Sequence, residues 1–257
     1  MSPAPLFTPT PLFTVVTPVR DAAATLPAAV ASARGQTLPD WEMLLVDDGS
    51  TDGSEALAAG LAAEDPRIRA LKRDGPPGAA GARNTAIRAA RGRFIAFLDA
   101  DDLWRPTKLA AQAAALRAGA GLVFTAYQRI DMGGGLLSRV DGPRRLTYAQ
   151  ALNGNAICCS TAAYDTQIFG RAEMPDLPRR QDYGLWLTLL RRIPEARGIP
   201  EVLIDYRVTP GSLSGDKLAA AAATWRVYRE VAGLGPAPAA WRLANNLARG
   251  AWKRRRG

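Results

Sequence analysis

Three stretches of this 257-residue chain place aspartates where a short apolar run ends. Thr17-Pro18-Val19-Arg20-Asp21 closes the first, Asp47-Asp48-Gly49-Ser50 the second and Asp99-Ala100-Asp101-Asp102 the third. Six carboxylates gathered at one place repel one another unless a cation neutralises them. Hard oxygen donors suit Mg²⁺ or Mn²⁺, which bind through one or two carboxylates and the phosphates of a substrate. A single Asp-rich turn reads as a solvated turn. Three of them at one sheet edge read as a ligand site. The chain contains no histidine. That excludes a Ser-His-Asp triad, a His-paired cysteine nucleophile, His-ligated zinc and a His base, and leaves proton transfer to carboxylates, Lys, Tyr or Cys. The two cysteines, Cys158 and Cys159, are neighbours. They are too few for a structural zinc site and suit a small apolar pair in a reducing compartment.

These residues meet only if the intervening elements bring them together. Apolar strands are predicted at 13–17, 43–46, 68–71, 94–98 and 122–125. They alternate with helices at 25–33, 53–63, 79–90 and 106–117, with Thr25 as an N-cap and Pro27 and Pro106 in first turns. Strands that are apolar throughout are covered on both faces, so the pattern predicts a parallel sheet between two helical layers. In such sheets ligands bind beyond the carboxyl ends of the strands, where the aspartates fall. After Met132 the pattern loosens. Gly133-Gly134-Gly135 reads as a loop tip, 136–140 and 202–206 as strands, and 147–152 and 182–191 as helices. Terminal helices follow at 216–231 and 239–253. The expected division is one domain over 1–215 and a helical appendage over 216–257.

With these motifs in this order, the chain resembles the family 2 glycosyltransferases of the GT-A fold. The likeness is carried by TLPDWEMLLVDDGSTD (37–52), Ala82-Arg83-Asn84 and GRFIAFLDADDLWRPTKL (92–109), and runs from Phe13 to about Leu213. It implies a Rossmann-like α/β/α sandwich with a mostly parallel central sheet and C-terminal helices. It also implies inverting, metal-dependent transfer of a sugar from a nucleotide diphosphate, most simply a UDP-sugar, to an acceptor hydroxyl in polysaccharide or lipid-linked glycan synthesis. By resemblance, the loop Pro18, Val19, Arg20 and Asp21 holds the nucleotide base, and Asp48 accepts a hydrogen bond from the uracil imide. Arg83 helps to hold the nucleotide. Asp99, Ala100 and Asp101 form the Asp-x-Asp element, with Asp101 ligating Mn²⁺ or Mg²⁺ and Asp99 near the ribose or the metal. Asp182 resembles the family's catalytic base, and the start of a helix also suits an N-cap. Arg207, ahead of Pro210-Gly211-Ser212-Leu213-Ser214, is the candidate contact to the diphosphate. The chain departs from the family in three places. The base-binding loop lacks the usual aromatic, for which the Arg20 guanidinium plane could substitute. Gln181 stands where Glu is common, and Thr209 where His is common. Trp104 is expected to pack beside the metal loop, and Trp186 to belong to the core or to the acceptor wall.

The formal charge is +9, and residues 236–257 carry six bases and no acid. On a helical wheel the segment from Trp241 to Lys253 has an apolar half with Trp241, Leu243, Leu247 and Trp252, opposite Arg242, Arg249 and Lys253. This is the pattern of an interfacial helix at an anionic membrane; packing on the catalytic domain is the alternative. No apolar run is long enough to span a bilayer, and residues 1–11 lack the layout of a signal peptide. The expected location is cytoplasmic, peripheral at the inner face of the plasma membrane. Two other functions are weighed. A sugar-phosphate nucleotidyltransferase would want a Gly-rich loop with Lys after the first strand, and 17–24 has neither. A non-enzymatic nucleic-acid binder would meet repulsion at the aspartate edge, and no recognition motif is present. The expected partners are therefore a nucleotide-sugar donor, a saccharide or lipid-linked acceptor and an anionic membrane surface, with no nucleic acid.

Overall fold

The computed structural model describes residues 10–208 and 217–254, with side chains at 10–208 and 218–248. Its strands are β1 (Phe13–Val19), β2 (Trp41–Asp47), β3 (Ile68–Lys72), β4 (Phe94–Phe97), β5 (Leu103–Trp104), β6 (Leu122–Ile130), β7 (Leu136–Val140), β8 (Arg145–Leu146), β9 (Ala163–Asp165) and β10 (Ala196–Arg207). They join one sheet in the order β3-β2-β1-β4-β9-β6-β10-β5, with β7 paired to β6 and β8 to β10. The half from β3 to β4 is parallel. The short β9 runs antiparallel between β4 and β6, and β6 and β10 are again parallel. The mostly parallel sheet of the sequence reading thus has an antiparallel strand at its middle and antiparallel pairings toward the β10 edge.

The helices are α1 (Leu26–Arg34), α2 (Ser54–Glu64), α3 (Ala79–Ala89), α4 (Lys108–Arg117), α5 (Tyr148–Ala151), α6 (Thr166–Phe169), α7 (Gln181–Leu190), α8 (Lys217–Arg226) and α9 (Pro236–Arg254). Successive strand residues point to opposite faces, and the apolar runs feed two cores. Val15, Met43 and Leu45 pack with α1, α2 and α4 residues such as Val30, Leu61 and Leu109. Val16, Leu44 and Val46 share the other core with Ile87 of α3 and Leu185 and Trp186 of α7. The turn before β4 has to be glycine for a close approach. A Cβ on Gly92 would lie 2.4 Å from the Thr14 backbone nitrogen.

The segment expected as an appendage shares this second core. Val227, Tyr228, Ala232 and Ala239 are buried in the same cluster as Trp186. The Tyr228 hydroxyl donates to the Leu152 carbonyl at 2.9 Å, and Arg191 donates to the Ala232 carbonyl. Between α8 and α9 the chain makes a π-helical turn at Val227–Val231. The helices after residue 216 therefore close one face of the catalytic body as far as Leu243, which packs against the same core.

Candidate functional site

The parallel pairing that sets Val19 beside Asp47 lays the loops after β1 and β2 side by side. Asp47 accepts from the Gly49 N–H at 2.9 Å and the Ser50 N–H at 3.2 Å, which closes the second loop into an Asx turn. Asp21 has φ 46°, in the left-handed region. Its carboxylate accepts from the Thr51 N–H at 2.8 Å and hydroxyl at 3.2 Å, and the Thr51 N–H holds it below the usual carboxylate range. Arg20 donates from Nη1 to the Asp48 carbonyl and leaves its guanidinium half exposed at the mouth of the loops. Asp48 is buried, ion-paired to Arg73 and hydrogen-bonded by the Gly78 N–H at 3.0 Å. Val19 does not join them. Its side chain lies in the core and its carbonyl accepts the Asp48 N–H, so the loop presents Pro18, Arg20 and Asp21 instead.

The second cluster lies at the end of β4, beside β1 in the sheet. Asp99 forms an ion pair with Arg83 of α3 and donates its N–H to Ser160 Oγ at 3.1 Å. Arg83 is buried, and its Nε has no hydrogen-bond partner. Ala100 is buried, so only its backbone can meet a ligand. Burial and the neighbouring Asp99 push the Asp101 carboxyl up to about 6. Asp102 is fully buried and plays another part. It accepts from Ser160 Oγ at 2.5 Å and the Arg207 N–H at 3.0 Å. Of the six carboxylates read as one cluster, Asp21, Asp47 and Asp102 are spent on shaping loops, because turns at strand ends leave backbone donors that need acceptors. Asp48, Asp99 and Asp101 remain to meet a ligand.

Asp182 joins this edge from α7. The expectation that it caps the helix is corrected. The N-cap is Arg180 at φ 64°, the helix begins at Gln181, and Asp182 sits within the first turn. Arg180 and Asp21 are the only non-glycine residues with positive φ among those described. Both border the site, where backbone strain is commonly held. Asp182 is partly accessible yet ringed by protein. Desolvation raises its carboxyl above the usual range, against the Tyr183 N–H, the Arg83 charge and a hydrogen bond from Asn155. That bond, Nδ2 to Oδ2 at 3.0 Å, was not legible in the sequence.

Arg207 ends β10 as an anchor of the loop that carries Asp99 to Asp102. It donates from Nε to the Asp101 carbonyl at 3.0 Å and from Nη1 to the Met132 carbonyl at 2.8 Å. The stretch Thr209 to Ser214 lies outside the described residues. Trp104 is buried, gives Nε1–H to the Ser160 carbonyl at 3.1 Å and has Lys108 Nζ over its ring at 3.8 Å. Trp186 belongs to the core, edge-on to Phe97 at 5.5 Å. Cys158 and Cys159 form no disulfide, and burial pushes both thiols well up, so they stay protonated.

The fold implies a divalent cation, and the donors fit one. Among the described residues no three carboxylate or thiol groups form a ready-made cage. Asp99 and Asp101 supply two hard oxygen donors, the number expected where substrate phosphates complete the shell. Burial and, after it, the like charge of Asp99 raise the Asp101 carboxyl, and a cation would relieve that repulsion.

Comparison with known proteins identifies the family. The family model "Glycosyl transferase family 2" matches residues 14–170. TuaG of Bacillus subtilis (strain 168), named for teichuronic acid biosynthesis, is 38% identical over 233 residues, covering 90% of this chain and 92% of its own. WfgD of Escherichia coli, a UDP-Glc:alpha-D-GlcNAc-diphosphoundecaprenol beta-1,3-glucosyltransferase, is 32% identical over 84% of this chain and 85% of its own. The mannosyltransferase PcManGT from Pyrobaculum calidifontis, solved with GDP-Man and Mn²⁺, superposes with a TM-score of 0.67 at 22% identity, over 97% of this chain and 77% of its own. The nucleotidyltransferase and nucleic-acid-binder readings fall with these matches. A family match over more than half of the sequence, set on a sheet edge lined with Asp48, Asp99, Asp101 and Asp182, makes this chain a glycosyltransferase of family 2 with the GT-A fold.

Proposed function

We propose that this enzyme transfers a sugar from a UDP-sugar to a hydroxyl of a lipid-linked saccharide, with inversion at the anomeric carbon, during cell-surface polysaccharide synthesis. The observation that carries the reading is the placement of Arg83. It is buried, ion-paired to Asp99 on the donor side, and its charge acts on Asp182 on the other side. One guanidinium thus ties a phosphate-and-metal site to a candidate base. The named relatives support the donor and acceptor classes: one uses UDP-Glc and a diphosphoundecaprenol-linked sugar, and another is named for teichuronic acid biosynthesis.

In this reading Arg20 and Asp48 receive the nucleoside, in a loop that Asp21 shapes through Thr51. Arg83, buried beneath this edge, acts on the donor side through its ion pair with Asp99. Asp99 and Asp101 would hold Mn²⁺ or Mg²⁺, which supplies charge stabilisation to the departing diphosphate. Arg207 fixes the backbone of that loop through the Asp101 and Met132 carbonyls. Asp182 takes the proton of the acceptor hydroxyl as that oxygen attacks. The anomeric configuration of the product, read by NMR after transfer from UDP-sugars to a saccharide on a diphosphate-lipid carrier, tests the reading. Inversion is expected. Retention, or transfer from no UDP-sugar, overturns it.

The same reading places the enzyme at the cytoplasmic membrane surface that holds such an acceptor. No helix among the described residues is long and apolar enough to cross a membrane. On α9 the apolar half predicted from the sequence divides in two. Ala239 and Leu243 face the core, whereas Trp241 is 67% and Leu247 52% exposed. At 100° per residue, Trp241, Ala244 and Ala248 form one stripe opposite the packed side, and Leu247, itself exposed, lies between that stripe and Leu243. An exposed apolar stripe on a helix rich in bases suits an anionic bilayer. The packed side makes truncation at Trp241 a poor test, since it would strip Leu243 from the core. Trp241→Glu with Leu247→Glu leaves that packing intact. The pair is expected to release the protein from anionic vesicles at low salt, with thermal stability and transfer to a soluble acceptor unchanged. Wild-type vesicle binding by the pair would overturn the membrane assignment.

A further inference from the structure

The carboxylate of Asp182 is held by a side chain that the sequence motifs do not single out. Asn155 Nδ2 donates to Asp182 Oδ2 at 3.0 Å. The amide has one sensible orientation, because Asn155 Oδ1 accepts the Ile157 N–H at 3.2 Å. With the oxygen committed to its own loop, the nitrogen is directed at the carboxylate.

The loop that carries Asn155 is itself clamped. Tyr183 of α7 gives its hydroxyl hydrogen to the Ala151 carbonyl at 2.8 Å. Tyr228 gives its own to the Leu152 carbonyl at 2.9 Å. Arg242 of α9 donates from Nη1 to Asn153 Oδ1 at 2.7 Å. Gly154 turns the chain at φ +145°, with the Asn246 side chain 3.4 Å from where a Cβ would stand. Asn246 donates onward to the Tyr228 hydroxyl at 3.4 Å. Contacts therefore run without a break from α9 through Asn153 and Gly154 to Asn155 and the carboxylate.

We propose that Asn155 is a positioning residue for sugar transfer, fixing one oxygen of Asp182 so that the other receives the acceptor proton, and that α9 holds it in place through the Asn153–Gly154 turn. This rests on Asp182 being the base. A carboxylate pinned at one oxygen cannot rotate away from the acceptor, which keeps the reacting pair in line. The terminal helices thereby become part of the catalytic apparatus.

The charged and titratable groups facing Asp182 are Arg83 from α3, Arg180 at the start of α7, and the thiols of Cys158 and Cys159. The two arginines and the Asn155 amide favour the ionised form, and burial opposes it. Loss of the amide donor therefore moves the base toward higher pH, with Arg83 and Arg180 limiting the shift.

Asn155→Asp is the informative variant. A carboxylate keeps the acceptor for the Ile157 N–H, so the loop retains its own bond. It also sets a like charge against Asp182 where the amide donated, which adds to the shift toward higher pH. Asn155→Ala removes the donor without that charge. In the full chain, kcat is expected to fall ~10-fold or more, the scale of one lost charge-assisted bond. The acid limb of the pH–rate profile should move to higher pH, with UDP affinity in Mn²⁺ unchanged. Asn155→Ala should lower kcat in the same way, and Arg242→Ala should do so more weakly. Adding Asn155→Asp to Asp182→Asn should have little further effect, because the two act as one unit. Wild-type kcat and pH profile in Asn155→Asp, with Asp182→Asn inactive, overturn the positioning role alone. An active Asp182→Asn overturns the base assignment and this inference with it. Equal loss of kcat and UDP affinity in both Asn155 variants would show a merely structural loop.

Discussion

Asp182→Asn is expected to lower turnover by ~10²–10⁴-fold, the usual range for a lost acid–base group, with UDP binding in Mn²⁺ near that of the wild type. The amide keeps the size of the carboxylate and can still meet the Tyr183 N–H, so the first turn of α7 survives. Because the helix is capped at Arg180 and not at Asp182, the substitution removes no N-cap. The loss should therefore fall on kcat and not on stability. The wild-type profile gives a second reading. Burial raises the Asp182 carboxyl, and only the ionised form accepts a proton. As the pH falls through that raised value, activity is lost, so the acid limb should lie above the ordinary carboxylate range. The limb should disappear from whatever turnover Asp182→Asn retains. Near-normal turnover in the variant, measured at saturating donor and acceptor, would remove Asp182 from the chemistry.

Much of this edge could be read from the sequence because each motif is local. The strands β1, β2 and β4 are largely apolar runs, and an aspartate ends β2 while Asp21 and Asp99 fall just beyond the ends of β1 and β4. What escaped reading depends on contacts between distant residues. β9 is three residues long and is recognisable only by its antiparallel partners β4 and β6. β10 begins at Ala196, six residues before the apolar run that betrays it, because Pro200 and Glu201 fall at a register shift between Ile199 and Val202. β6 continues through Gln128 and Arg129, polar residues that pair with β7 and β10. In the site, Asp47 and Asp102 look like ligands in sequence and serve as acceptors for turns and for Ser160. Asn155 gives no signal, since its partner lies 27 residues away. The left-handed Arg180 moves the helix start by one residue, and no cap rule anticipates a positive φ at an arginine.

Asp101→Ala is expected to abolish metal-dependent stabilisation by UDP while the protein stays folded. In the wild type, UDP with Mn²⁺ at 100 times its Kd would add about 2.7 kcal/mol to stability, which a chain of this length registers as a rise in Tm of ~5–10 °C. Asp99 cannot take over alone, because its Oδ1 is already bound to Arg83. The sign of the change without ligand separates loss of a site from loss of a fold. The Asp101 carboxyl is raised by burial and by Asp99, and it in turn raises the buried Asp102. Removing it relieves a repulsion, so the ligand-free variant should melt at or slightly above the wild-type temperature. Its backbone carbonyl still accepts from Arg207, which keeps the loop anchored. Thermal shift with UDP in Mn²⁺, in Mg²⁺ and in EDTA decides the matter. Stabilisation of Asp101→Ala equal to that of the wild type, or equal stabilisation of the wild type in EDTA and in Mn²⁺, would show that this carboxylate holds no cation for the donor.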